Sequence, residues 1–242
     1  MVWGVRLVEE KDLYSWRKDS LNMPVSRVVR SKGNARANYN RLSRWYDVVA
    51  GNTEKKYRDI GLQKLNAQPG ERILEIGFGT GHCVLALARS VGETGQVCGL
   101  DISDGMLAVT QARLQQAGLM DRVDLRVGDA VSLPFTGGFD GVFMSFTLEL
   151  FDTPEIPKVL AQCYDALRPG GRLALVALIK KPGTAVKIYE WFHEKMPVAV
   201  DCRPIYAQAD LTAAGFDIRD VTTLSMWGLP VEIILAEKDS ER

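Results

Sequence analysis

Five short runs of this chain carry little polar character on either face. They are residues 72–77 (RILEIG), 96–102 (QVCGLDI), 123–129 (VDLRVGD), 139–146 (FDGVFMSF) and 172–179 (RLALVALI). A strand that is apolar on both sides needs cover above and below, which is the situation inside a parallel sheet flanked by helices. Helix-like segments lie between the runs. Residues 103–117 open on a capping serine and close at Gly118. Residues 154–167 begin with a proline suited to a first helical turn and stop at Pro169-Gly170-Gly171. The tail differs: residues 217–226 and 231–238 are strand-like and are joined by Trp227-Gly228-Leu229-Pro230. So short a link makes the two strands antiparallel neighbours. The pattern predicts an α/β fold with a doubly wound, mostly parallel, seven-stranded sheet: five βα units, then an antiparallel C-terminal hairpin strand. A turn signal at Asn66-Ala67-Gln68-Pro69-Gly70 predicts a boundary, with a helical N-terminal extension over 1–66 and the sheet domain over 67–242.

The longest unbroken apolar run is the seven residues 173–179, against the 18 or more of a membrane helix. The opening MVWGVRLVEEKD interrupts its apolar residues with acids, so no secretory signal is expected. Cys83, Cys98, Cys163 and Cys202 stand far apart, which predicts a reduced, cytoplasmic protein without a disulfide framework or metal site. The chain balances 30 basic against 30 acidic residues, which argues against a nucleic-acid partner. The balance is uneven along the chain. Segment 17–44 holds eight Lys or Arg and only Asp19 as an acid. It reads either as a solvated extension or as a surface drawn to an anionic substrate or a membrane periphery.

The informative stretch is Leu74-Glu75-Ile76-Gly77-Phe78-Gly79-Thr80-Gly81-His82. Glycines after a strand end let the backbone take positive φ and let a ligand lie against it, beside the crevice at the carboxyl ends of the strands. Asp101 ends the next strand, twenty residues after Gly81, where a carboxylate can accept hydrogen bonds from ribose hydroxyls. Asp129 ends the third, where adenine should lie. A dinucleotide fingerprint would place its third glycine at position 82, which is histidine here. The loop is E-x-G-x-G-x-G, and the carboxylate of Glu75 repels a pyrophosphate but suits a ligand bearing an ammonium group, acting through water or by orienting loop amides. S-adenosylmethionine has an ammonium, a ribose, an adenine and no phosphate.

ILEIGFGTGH, GLDIS, GDA and LRPGGRL, in that order over about residues 67–180, resemble the motifs of class I S-adenosylmethionine-dependent methyltransferases. The resemblance implies Gly77, Gly79 and Gly81 against the methionine moiety and Asp101 on the ribose. It implies Ile102 and Met106 around the adenine, Asp129 with Ala130 beside it on the adenine amino group, and Ser145 or Phe146 near the sulfonium. Tyr46-Asp47 in RLSRWYDVVAG, with the LRPGGRL block, is similar to the ubiquinone/menaquinone-biosynthesis C-methyltransferases and the related phospholipid N-methyltransferases. There the YD-containing helix folds over the cofactor as a lid, which implies Tyr46 at the cofactor. Quinone enzymes usually carry a phenylalanine-glycine-leucine-arginine-like run after the fourth strand, whereas this chain has Phe146-Thr147-Leu148-Glu149.

Methyl transfer is an in-line displacement at an already activated carbon, and orienting the reactants supplies about 7–11 kcal/mol. A base is needed only where the acceptor loses a proton first. Candidates are His193, Glu149, Asp152 and Tyr39, while Arg203 could reach over the pocket or serve a structural turn. The expected function is methyl transfer to a small, apolar, quinone-like or lipid-like acceptor. The alternative is a non-catalytic cofactor-binding module acting through the basic arm on a partner or membrane. The acceptor, the atom methylated and the oligomeric state stay open.

Overall fold

The computed structural model describes residues 25, 27–28, 31–42, 52–135, 137–195 and 202–240. Two helices, α1 (Lys32–Leu42) and α2 (Asn52–Leu65), precede β1 (Arg72–Ile76), α3 (His82–Ser90), β2 (Gln96–Asp101), α4 (Asp104–Ala117), β3 (Val123–Val127) and β4 (Phe139–Ser145). Then come α5 (Ile156–Ala166), β5 (Leu167–Leu178), α6 (Thr184–Lys195), α7 (Ala207–Ala213), β6 (Asp217–Met226) and β7 (Leu229–Glu237). The strands form one seven-stranded sheet in the order β3-β2-β1-β4-β5-β7-β6. Pairings among β1 to β5 are parallel, and β7 runs antiparallel to both β5 and β6. This is the expected α/β architecture, with the chain order reversing between β1 and β4.

Successive residues of one strand serve opposite layers, so both faces must be apolar. Leu74, Ile76, Val142, Met144, Leu173 and Leu175 pack with Ile156, Val159, Leu160 and Cys163 of α5. Their immediate neighbours Ile73, Phe143, Ala174 and Val176 pack on the other side with Val84 and Leu87 of α3 and Met106 and Leu114 of α4. Helix α2 joins this second layer closely, because a Cβ at Gly61 would come within 2.7 Å of Val176 Cγ2.

The chemistry read at the ends of α4 holds. The Ser103 hydroxyl accepts from Met106 N at 3.1 Å, and Gly118 closes the helix with φ 67. Three expectations need correction. Among the described residues no helix lies between β3 and β4, whose connection runs through turns, so the sheet is not built of five βα units. Helix α5 starts at Ile156 rather than Pro154. Pro157 takes the first-turn position, and Pro154 belongs to the preceding turn. Strand β5 starts at Leu167 rather than Arg172, because Leu167 already pairs with Phe139 before a register shift lets Arg172 pair with Gly141. No helix among the described residues is long and apolar enough to cross a membrane. All four cysteines are free thiols.

Candidate functional site

A cavity of about 520 Å³ lies at the carboxyl ends of β1, β2, β3 and β4, the crevice that an open α/β sheet offers ligands where strand order reverses. Ligand pockets span about 300–1,000 Å³.

The three loop glycines do different work. Gly77 has φ 75, donates to Leu100 O at 2.7 Å, and sits so close to Thr147 that a Cβ would lie 2.3 Å from its Oγ1. Gly81 has φ 81 and would drive a Cβ to within 2.4 Å of Thr110 Cγ2. It starts α3 and is absent from the cavity lining. Gly79, with φ 50, lines the cavity, and a Cβ there would meet nothing within 4 Å. Its N–H donates to Asp101 Oδ2 at 2.9 Å and its carbonyl accepts from Thr110 Oγ1 at 2.8 Å. The loop is therefore braced from behind and open in front.

Asp101 also accepts from Ser103 N at 2.9 Å through Oδ1. Burial pushes its carboxyl up, opposed by these amide bonds. Glu75 is 2% exposed yet lies on the cavity wall. Burial first, then the nearby Asp101, holds its carboxyl well above the ordinary range, with Arg58 opposing. Glu75 Oε2 and Ser145 Oγ are buried without a hydrogen-bond partner, and both residues line the cavity. Two orphaned oxygens on one wall leave acceptor capacity for a ligand donor, since a buried polar atom without a partner is costly. Ile102, Met106, Asp129 and Ala130 complete this side.

The opposite side comes from the chain before β1. Arg27 grips Asp152 with Nε to Oδ1 at 2.8 Å and Nη2 to Oδ2 at 2.6 Å, and Val28 N donates to Asp152 Oδ1 at 3.0 Å. The Arg27 hydrogen bond leads in pulling the Asp152 carboxyl down to about 2. Lys32 Nζ lies 2.5 Å from both Asp129 Oδ2 and Glu155 Oε1. Arg36 pairs with Asp104. Asn40 Oδ1 accepts from Ser103 Oγ at 2.5 Å and Gly105 N at 3.0 Å. Three bases of the basic segment thus meet acids at or near the rim of the crevice. Tyr39 of α1 lines the cavity, as do Arg27, Val28, Ser31 and Lys32. Tyr46 lies outside the described residues.

Sequence reasoning missed Glu54 and Arg58, which α2 places on the cavity wall 3.5 Å apart. At i and i+4 on a polar helix they look like an ordinary surface pair, and only the packing of α2 on the sheet turns them inward.

Two base candidates do not line the cavity. Glu149 is fully buried in a short 3₁₀ turn, where Oε1 accepts from Leu178 N at 3.1 Å. Burial pushes its carboxyl up to about 8. His193 is buried on α6, away from the cavity lining. Arg203 is buried too and donates to the Phe151 carbonyl rather than reaching the cavity. Phe146 takes φ 50, rare for a bulky residue. Its N–H donates to Val176 O at 2.8 Å, and its ring stands edge-on to Tyr57 at 6.1 Å.

A glycine loop, an acid at each of the next two strand ends and a cavity between them thus meet at the carboxyl ends of the parallel strands. Residues 73–171 match the "Methyltransferase domain" family. It is 36% identical over 140 residues to the demethylmenaquinone methyltransferase of Symbiobacterium thermophilum, covering 55% of each chain. It is 33% identical over 167 residues to the ubiquinone/menaquinone biosynthesis C-methyltransferase UbiE of Vibrio cholerae, covering 69% of this chain and 61% of that one. The chain thus spans less than two thirds of the length of these curated relatives. Among solved structures, the [4+2]-cyclase SpnF superposes with a TM-score of 0.72 at 20% identity, covering 90% of this chain and 98% of that one. A SAM-dependent methyltransferase from Aquifex aeolicus superposes with a TM-score of 0.60 at 19% identity, covering 83% and 97%.

Proposed function

We propose that this protein binds S-adenosylmethionine in the crevice and transfers its methyl group to a small, apolar, quinone-like acceptor. The bound cofactor supplies an activated methyl on positive sulfur. The chain supplies position and polarity. The observation that carries this reading is the pairing of an open front at Gly79 with two orphaned oxygens, Glu75 Oε2 and Ser145 Oγ, on the same wall. Asp101 is fixed by two amides and keeps lone pairs for ribose hydroxyls. Asp129, with Ile102, Met106 and Ala130, frames the adenine. The segment through α1, within an extension reaching to residue 66, closes over the ligand and keeps water out.

The names of the curated relatives support a quinone precursor as acceptor. A phenolic carbon acceptor loses a proton on methylation. In this reading Glu54, which lines the cavity, receives it, and Arg58 beside it stabilises the oxyanion. Because a cyclase shares the fold, architecture alone does not establish methyl transfer. Titration calorimetry with S-adenosylhomocysteine should give micromolar binding, and NAD none. Labelled S-adenosylmethionine should pass its methyl to a short-chain demethylmenaquinol. Cofactor binding without label transfer to any quinol would refute the acceptor, and NAD binding instead would refute the whole reading.

A further inference from the structure

Helix α6 is apolar on its outer face as well as on the inner face that packs Val186 and Tyr189 against the core. A helix on a globular protein normally points its apolar stripe at the core. Here Val186 and His193 are buried and Glu190 faces inward to meet Lys180 Nζ at 2.6 Å. Ile188, Trp191 and Phe192, at i, i+3 and i+4, face out with 52%, 53% and 39% of their surface exposed. Trp227, 74% exposed, tips the β6–β7 turn. That turn abuts the first turn of α6, since a Cβ at Gly228 would lie 3.8 Å from Ala185 Cβ. Four of the five large apolar side chains exposed among the described residues thus gather in one place; Met120 is the fifth.

The location matters as much as the chemistry. Leu178, the last residue of β5, pairs with Val231 of β7, so both α6 and the Trp227 turn sit at the carboxyl end of β5. Ser145, at the carboxyl end of β4, pairs with Val176 and lines the cavity, so the cavity lies at the same end of the sheet.

We propose that this patch seats the protein on a lipid bilayer, presenting the mouth of the site to an acceptor dissolved in the membrane. The assignment rests on the apolar-acceptor reading above for its purpose, but not for its geometry. Tryptophans are favoured at the headgroup level, where one end of the ring is apolar and the other wet. Exposed Lys187 and Lys195 flank the stripe on the same helix and suit anionic headgroups. A second copy of the chain fits less well. Four partly exposed side chains offer about 400–500 Å², whereas a stable dimer needs about 800 Å² from each partner. The bases Arg27, Lys32 and Arg36 of the N-terminal segment, the other candidate for membrane contact, already face acids of this chain.

The test is sedimentation of the full chain with vesicles of phosphatidylcholine and phosphatidylglycerol, with S-adenosylhomocysteine affinity measured in parallel. The wild type should pellet with vesicles, and its tryptophan emission should be quenched by brominated phospholipid. The double variant Trp191→Ser/Trp227→Ser should lose at least tenfold in partitioning and keep wild-type affinity for the nucleoside. The proposal falls if the wild type stays in the supernatant, or if the double variant pellets as well as the wild type. It also falls if Arg17→Glu/Lys18→Glu abolishes binding while the tryptophan pair is dispensable. A concentration-dependent dimer that the tryptophan substitutions dissolve would give the patch to a second copy and overturn it too. Vesicle binding without nucleoside binding would leave the docking surface standing and remove the proposed function instead.

Discussion

The floor and the cover of the crevice are held by different physics. The floor is backbone: Gly77, Gly79 and Asp101 are tied by amide hydrogen bonds of 2.7–2.9 Å within a partly buried strand-end loop. The cover is largely side chain, with Arg27, Lys32 and Arg36 meeting Asp152, Asp129, Glu155 and Asp104 across a surface where every basic partner is about half exposed or more. Buried networks are rigid because an unmade bond is expensive. Exposed ion pairs contribute little and weaken with salt. A site built this way keeps its template constant and leaves its entrance free to open.

The sharpest way to break the contrast is to damage the floor. Gly77→Val adds a side chain where Thr147 stands within 2.3 Å of a Cβ, at a φ of 75. The combined overpacking and backbone strain, about 2–6 kcal/mol, should abolish S-adenosylhomocysteine binding in calorimetry and lower Tm. The circular-dichroism spectrum should stay that of a folded α/β protein. Asp101→Ala should weaken the same binding by about 1.5–3 kcal/mol, and wild-type affinity in that variant would remove Asp101 from the site.

Below the floor, Glu149 predicts a pH effect that the cover does not share. Its buried carboxyl titrates at about 8 instead of the ordinary 4.5, with Arg203 and Glu54 the charged groups acting on it. Below pH 4.5 folded and unfolded chains both hold the proton. Between about 4.5 and 8 only the folded chain does, so this group makes stability fall across that window and level off above it. Glu149→Gln keeps the acceptor for Leu178 N and removes the titration. It should raise Tm relative to wild type at pH 8.5 and change little at pH 4.5. Equal differences at both pH values would show that Glu149 is ionised in the folded protein.

The smallest effects belong to the cover. Lys32→Ala and Arg27→Ala should each change Tm only slightly, while speeding nucleoside release a few-fold in stopped-flow fluorescence. That difference should vanish at high salt.

Much of the floor was legible before any coordinates, because local rules write it. Alternate burial demands apolar runs, a serine caps α4 and a glycine ends it, and positive φ at 77, 79 and 81 asks for glycine. Legibility ended where packing between distant segments decides. Gly81 looked equivalent to Gly79, yet Thr110 of another helix makes one a packing position and leaves the other facing the cavity. Glu149 and His193 carry suitable chemistry, but both are buried off the walls of the site. Glu54 and Arg58, i and i+4 on a polar helix, reach the cavity wall only because α2 packs closely on the sheet at Gly61. The basic segment reads either as a solvated extension or as a surface drawn to an outside anion, whereas Arg27, Lys32 and Arg36 meet acids of this chain more than sixty residues downstream.

Lys32 gives the divided architecture a measurable consequence. One ammonium bridges Asp129, beyond the end of β3, and Glu155, at the start of α5, so a nucleoside that recruits Asp129 must share a carboxylate with the latch. Linked equilibria are reciprocal: the factor by which the ligand loosens α1 equals the factor by which a loosened α1 alters ligand affinity. Amide exchange along residues 32–42 therefore reports occupancy of the crevice from outside it.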